Sequence, residues 1–307
     1  MLRRAILALP LAAPALAQPA RPVRIVVPFP PGGSNDVIAR PLAERLQARM
    51  GVPVVIENRP GAGGAIGAGQ VAQAPPDGTT LMVTSSSFAA SAVVQRLPYD
   101  AQASFQPVAL LARAPFLVLT HPDFPPRDMA ALLAYARANP GRVDYGSSGP
   151  GGINHLITEL LAQKAGVRLN HVPYRGMPPA VTDLVAGHVP LLLTTIASAS
   201  GPVRENRVRV LAATAPGSGL PVPTVREATG LDYEASIWWG LLAPRGTAAD
   251  ALNAHVRAVL EDPAIRRLYE AEGATPAPSS AAEFAAALAE DIGRFREVAR
   301  VANITVE

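Results

Sequence analysis

The sequence predicts an α/β protein of two lobes. Three observations point there. Two similar strand, glycine-turn and helix units stand far apart, at Arg24–Asp36 and Val143–His155. Two long apolar stretches, Val108–Thr120 and Trp238–Pro244, are placed to carry the chain from one lobe to the other and back. With 307 residues, 49% hydrophobic and 17% charged, the chain is long enough for two cores and far from a disordered composition.

The first unit opens on Val23–Val27, an apolar β-branched run that reads as a buried strand. Phe29, Pro30 and Pro31 follow, and proline stops a strand ladder because it has no N–H to donate. Gly32 and Gly33 then allow a tight turn. Ser34, Asn35 or Asp36 can cap a helix over Asp36–Met50 whose apolar face is Ile38, Leu42 and Leu46. Free backbone N–H groups and the helix dipole make such a junction an anion site. The second unit repeats the arrangement with Ser147, Ser148, Gly149, Gly152, Asn154 and His155 before the apolar face Ile153, Leu156, Ile157, Leu160 and Leu161. Two such loops can hold one small acid between them.

Between the units, Val52–Glu57 predicts a strand, followed by the glycine-rich run Asn58–Gly67. The dinucleotide fingerprint G-x-G-x-x-G is missed, because Ile66 stands where the last glycine belongs and Arg59-Pro60 separates strand from glycines. The run reads as a turn into a helix over Ala65–Gln73. Thr80–Thr84 is a strand ending in Ser85, Ser86 and Ser87. Hydroxyls at that end of a strand lie where open α/β sheets bind ligands. A helix near Met129–Ala138 stops at Asn139-Pro140-Gly141. Strands follow at Leu169–Pro173, at Val189–Leu193 (ending in Thr194-Thr195) and at Val208–Ala213, with a short helix from the Tyr174–Pro179 turn through Val185. Helices near Ala248–Leu260, Pro263–Ala271 and Ala281–Ala299 close the chain. In the last, Phe284, Leu288, Ile292 and Phe295 recur at helical spacing and read as lobe packing.

The N-terminus reads as an export signal over residues 1–17. Arg3 and Arg4 form a basic start, Ala5–Ala13 an apolar core too short for a membrane span, and Ala15-Leu16-Ala17 a cleavage site. A mature chain beginning near Gln18 keeps 25 basic against 24 acidic residues, with no dense basic run, so nucleic acid is not an expected partner. The chain has no cysteine, which excludes disulfides, thiolate metal sites and a cysteine nucleophile. His121, His155, His171, His188 and His255 are scattered without ligand spacing, so neither metal nor cofactor is expected. Gly146–Pro150 misses the nucleophile motif G-x-S-x-G at Pro150. His155 reads as a helix-start residue that hydrogen-bonds its loop, and Asp36 as an ionised carboxylate at a helix start. Tyr174 is a candidate donor to ligand. Of Trp238 and Trp239, alternation sends one towards a cleft and the other into packing.

Several stretches together resemble one family, the substrate-binding proteins of tripartite tricarboxylate transporters, also called Bug receptors. They are Ile25–Asp36 (IVVPFPPGGSND), Glu57–Ala68 (ENRPGAGGAIGA), Ala74–Leu81 (APPDGTTL), Asn154-His155-Leu156, His171–Gly187 (HVPYRGMPPAVTDLVAG) and Trp238–Thr247 (WWGLLAPRGT). The resemblance implies a periplasmic-binding-protein-like fold of type II with two crossing strands at the hinge. It divides the chain into lobe 1 (residues 22–118 plus 242–307) and lobe 2 (119–241). It implies a small carboxylate held largely by backbone amides, with Phe29–Ser34 taking one end, Ser85–Ser87 beside it and Ser147–His155 taking the other. Thr194-Thr195 departs from the Asp-Asn pair of many relatives, which removes a partner for a ligand amine. The expected ligand-binding set is Phe29, Pro30, Pro31, Gly32, Gly33, Ser34, Asp36, Ser85, Ser86, Ser87, Ser147, Gly149, Gly152, Asn154, His155, Tyr174, Thr194 and Trp238. The expected function is capture of a small dicarboxylate, tricarboxylate or aromatic acid in the periplasm for a membrane permease, without catalysis. The alternatives are a periplasmic protein that reports ligand to a sensor kinase and a secreted hydrolase using Ser147 or Ser148.

Overall fold

A computed structural model describes residues 21–301 and 304 of the protein. The export signal expected over residues 1–17 lies outside the described residues. The described residues form eleven strands and eleven α-helices, which alternate except where strand Leu117–Thr120 follows strand Phe105–Pro115 and helix Pro263–Ala271 follows helix Ala249–Glu261. In chain order the strands are β1 (Val23–Val27), β2 (Val54–Asn58), β3 (Thr80–Ser85), β4 (Phe105–Pro115), β5 (Leu117–Thr120), β6 (Asp144–Ser147), β7 (Asn170–Pro173), β8 (Leu191–Thr194), β9 (Arg209–Ala213), β10 (Ser236–Pro244) and β11 (Thr275–Pro276). The helices are α1 (Ser34–Met50), α2 (Ala65–Ala72), α3 (Ser86–Val94), α4 (Met129–Ala138), α5 (Ile153–Ala165), α6 (Met177–Val185), α7 (Ile196–Arg204), α8 (Val225–Thr229), α9 (Ala249–Glu261), α10 (Pro263–Ala271) and α11 (Ala281–Val301).

The strands form two sheets, of six in the order β11-β4-β10-β3-β1-β2 and of five in the order β7-β6-β8-β5-β9. In the first, β1 runs parallel to both β2 and β3, and three of its valines and isoleucines are wholly buried. Parallel strands covered on both faces require such continuous apolar runs. Helix α11 covers β4 and α3, and Phe284, Leu288, Ile292 and Phe295 are all buried there, as their spacing predicts.

The predicted crossing run Val108–Thr120 is two strands in different sheets. It breaks at Phe116, so β4 belongs to the first sheet and β5 to the second. The return crossing lies between β9 and β10. Thr214 ties the two passages together: the Phe116 N–H donates to its Oγ1 (2.8 Å), its own N–H donates to the Phe116 carbonyl (2.9 Å), and its Oγ1 donates to the Ala235 carbonyl (2.6 Å). The sheets therefore divide the chain at Phe116 and within 214–235. Ser236–Leu241, assigned to lobe 2 by the sequence reading, pair antiparallel with β3 and β4 of the first sheet. An apolar run carries no mark of the residue at which it changes sheets.

Candidate functional site

The C-terminal ends of β1, β3, β6, β7 and β8 of the two sheets face one another, and there each of these strands hands the chain to a helix. Five helix N-termini converge on one small chamber. Gly33 and Ser34 start α1, Ser85 and Ser87 lie at the β3–α3 junction, Ile153 and Asn154 start α5, Met177 and Pro178 start α6, and Thr194, Thr195 and Ser198 lie at the β8–α7 junction. Phe29, Pro30, Asn35, Phe116, Ser148 and Ile237 complete the wall around about 30 Å³. None of these residues carries an ionisable side chain. The positive ends of the helix dipoles and neutral donors therefore set the potential inside. The hydroxyls of Thr194 and Thr195 and the Asn35 Oδ1 are buried there without a hydrogen-bond partner among the described residues. Buried polar groups are nearly always paired, so the clustering of three such oxygens at one chamber marks it as a place for a polar guest.

The glycine loop before α1 is held from outside the chamber. The Asp36 carboxylate accepts from the Gly32 N–H (3.0 Å), from Arg40 Nε and Nη2 (2.8 Å each) and from Asn58 Nδ2 (2.9 Å), and Asn58 also reaches the Phe29 carbonyl (3.1 Å). Burial alone would raise the Asp36 pKa, but Arg40, Gly32 and Asn58 outweigh it and hold it below the ordinary carboxylate range. Asp36 does not line the chamber; it props the loop that does. Gly32 spends its N–H on that prop, Pro31 has none to offer, and neither lines the chamber.

The second loop is shaped from within. The Ser147 hydroxyl, fully buried, meets His171 Nε2 at 2.6 Å and accepts from the Gly149 N–H at 3.1 Å. His155 Nδ1 accepts from the Gly151 N–H at 3.1 Å, and its ring stacks on His171 with centroids 3.9 Å apart. Burial, with His171 beside it, pushes the His155 pKa down to about 4, which keeps Nδ1 free to accept. Gly152 donates its N–H to the Gly149 carbonyl (3.2 Å). The side chains of Ser147 and His155 and the backbone of Gly152 thus build the loop and do not face the chamber. The Ser147–His171 pair has a serine and an imidazole in contact, but that hydroxyl lines neither hollow of the cleft, and no carboxylate among the described residues hydrogen-bonds His171.

Three further side chains differ from their expected places. Ser86 accepts from the Trp238 N–H (3.0 Å) and is wholly buried. Trp238 turns away into α11, where its indole N–H reaches Asp291 Oδ2 (2.6 Å) and its ring meets Phe284 edge-on. Trp239 is the tryptophan on the cleft side, its Nε1 3.4 Å from Ser34 Oγ. Tyr174 donates its hydroxyl to Asp183 Oδ2 (2.8 Å), so it offers the cleft a ring face and not a donor. Asn154 stays at the chamber, but its amide is taken: Nδ2 donates to the Leu193 carbonyl (2.7 Å), and Ser148 Oγ donates to its Oδ1 (3.0 Å).

The structure thus brings Phe29, Pro30, Gly33, Ser34, Ser85, Ser87, Asn154 and Thr194 to one chamber, with Gly149 and Tyr174 on the wider hollow outside it. Sequence reasoning omitted Asn35, Phe116, Ser148, Ile153, Met177, Pro178, Thr195, Ser198 and Ile237 from the set. Gly176 followed by Pro178-Pro179 signals a helix start, and that start is a chamber wall. Ser198 gave no such signal, because α7 shows no clean apolar period.

The family described as the tripartite tricarboxylate transporter family receptor matches residues 38–304. The chain belongs to that family. Protein BugT of Bordetella pertussis is 35% identical to this receptor over 94% of its chain and 92% of BugT. A protein encoded in a tcbD-tcbE intergenic region of Pseudomonas sp. strain P51 is 41% identical over 80% of the receptor and 76% of that protein. Among solved structures, an R. palustris protein with adipate superposes with a TM-score of 0.90 at 34% identity, covering 94% of the receptor and 99% of that chain. MatC of Rhodopseudomonas palustris with bound malate gives a TM-score of 0.85 at 34% identity, covering 92% and 99%. The periplasmic binding protein BugD gives 0.88 at 31% identity over 94% and 100%. These neighbours share the two-lobed fold expected from the sequence.

Proposed function

We propose that this receptor captures a small carboxylate in the periplasm, between its two lobes, and delivers it to a membrane permease of the tripartite tricarboxylate type. One observation carries the reading: five helix N-termini and a set of neutral donors converge on a chamber with no charged wall. A carboxylate there receives charge-assisted hydrogen bonds of roughly 1.5–3 kcal/mol each. The adipate and malate bound by its structural neighbours support the same ligand class. Among the described residues no carboxylate lines the chamber to pair with an ammonium group, which favours acids without an amine. Binding and release need no nucleophile, and the Ser147–His171 pair lies off the chamber.

The test is a thermal-shift and calorimetric screen of mono-, di- and tricarboxylates. At least one acid should raise the melting temperature at saturation, through linkage to the folded state. If no carboxylate does so, the receptor reading is wrong. Tight binding of aspartate or glutamate would overturn the preference for amine-free ligands.

A further inference from the structure

The chamber opens beside a much larger hollow of about 590 Å³. We propose that this hollow is a second compartment of the ligand site, which takes the flat body of an aryl acid and reads a second acidic group through Arg175. The inference rests on the reading of the chamber as a carboxylate site.

Size separates the two compartments. About 30 Å³ in the chamber is room for roughly two water-sized groups, which matches the two oxygens of a carboxylate and leaves nothing for a ring. The outer hollow falls within the roughly 300–1,000 Å³ of small-molecule sites. Phe29, Pro30 and Ser148 line both, so they form the neck where a ligand would pass from one to the other.

The chemistry of the outer wall also differs. Phe29, Pro30 and Pro60 contribute flat apolar faces from the first lobe, and Tyr174 contributes one from the second. Because the Tyr174 hydroxyl is held by Asp183, the ring is what that residue presents. The stretch Gly61–Gly64 adds a wall with no side chain larger than a methyl. Rings stack on faces of this kind. Among the described residues Arg175 is the single charged one lining either compartment, it is exposed, and it has no ion-pair partner. A guanidinium fork matches a carboxylate in two hydrogen bonds. An acid with carboxylates at opposite ends of a ring would place one among the helix N-termini and the other at Arg175.

Calorimetry with benzoate and terephthalate, on the wild type and on Arg175→Gln, tests this. Terephthalate should bind the wild type about fivefold tighter than benzoate, the upper end for one exposed ion pair. The preference should fall below about twofold in Arg175→Gln, and should shrink in the wild type at high salt, since an exposed pair is screened. Absence of a preference, or one that Arg175→Gln leaves in place, overturns the proposal. Binding of malate or adipate but of neither aryl acid overturns the second compartment and leaves the receptor reading standing. Failure of all four acids to bind overturns both.

Discussion

Gly176 of the second lobe stands directly against Pro30 of the first. A Cβ built on Gly176 would lie 2.7 Å from Pro30 Cδ and 2.8 Å from its Cγ, inside any ordinary contact. Its φ of +103° belongs to glycine as well. The lobes also meet where the Ser34 N–H donates to Ser198 Oγ (3.2 Å), where Gln95 Nε2 donates to the Pro150 carbonyl (3.3 Å), and where Arg204 approaches Glu272 (3.7 Å). At this approach of the two lobes a side chain on residue 176 would force Pro30 to shift.

Gly176→Ala should therefore hold the lobes apart. We expect ligand affinity to fall about tenfold or more, since closure would cost at least ~1.4 kcal/mol extra. Small-angle scattering should show that saturating ligand no longer compacts the variant to the wild-type radius of gyration. Wild-type affinity in Gly176→Ala would mean that closure does not need this contact.

Thr195 tests the chamber from the opposite direction. Its buried hydroxyl has no hydrogen-bond partner among the described residues and would donate to a bound carboxylate. Thr195→Val should raise the unfolding free energy by about 0.5–1 kcal/mol while weakening the carboxylate roughly tenfold or more. Urea denaturation and calorimetry on the same variant read the two effects. Loss of stability with unchanged affinity would assign the hydroxyl a structural role.

Asp36 should behave as a structural residue. Asp36→Ala leaves the Gly32 N–H, Asn58 and Arg40 without their shared acceptor. We expect a loss of about 2–3 kcal/mol, because the carboxylate is buried and Arg40 is half exposed. A chemical-denaturation midpoint equal to the wild type would contradict the prop assigned to it.

Acid should weaken the second loop. In the folded chain His155 titrates near 4, held down by burial and by His171, against an ordinary value of 6.5. Between those values the unfolded chain takes up a proton that the folded one refuses, so stability falls as pH drops from about 6.5 towards about 4. His171 is lowered by burial and adds to the loss in the same sense. Asp36, also lowered, keeps its contribution above 3.8 and loses it only at still lower pH. Because His155 is only partly buried, we expect no more than about 2 kcal/mol from it after solvent screening, or roughly 3 °C in melting temperature. The melting temperature should drop more steeply between pH 7 and 5 in the wild type than in His155→Phe. Equal slopes would show that His155 does not carry the effect.

The sequence by itself determined the alternation of strands and helices, the two glycine turns, the family and the class of site. These are local: a β-branched run, a proline that cannot donate, a glycine before a capped helix and a fixed order of short motifs are all visible along the chain. The tertiary structure alone decided which groups face the chamber. Asp36 and Asn35 are neighbours, yet one turns to Arg40 and the other to the cleft. Trp238 and Trp239 differ by one position, and the register of β10 sends the first to α11 and the second to Ser34. The break at Phe116 was invisible for the same reason. An apolar strand reads alike on either side of a crossing, and only pairing with Thr214 and the two sheets fixes where one lobe ends. Side-chain direction and sheet membership are set by partners distant in sequence, and no local pattern encodes them.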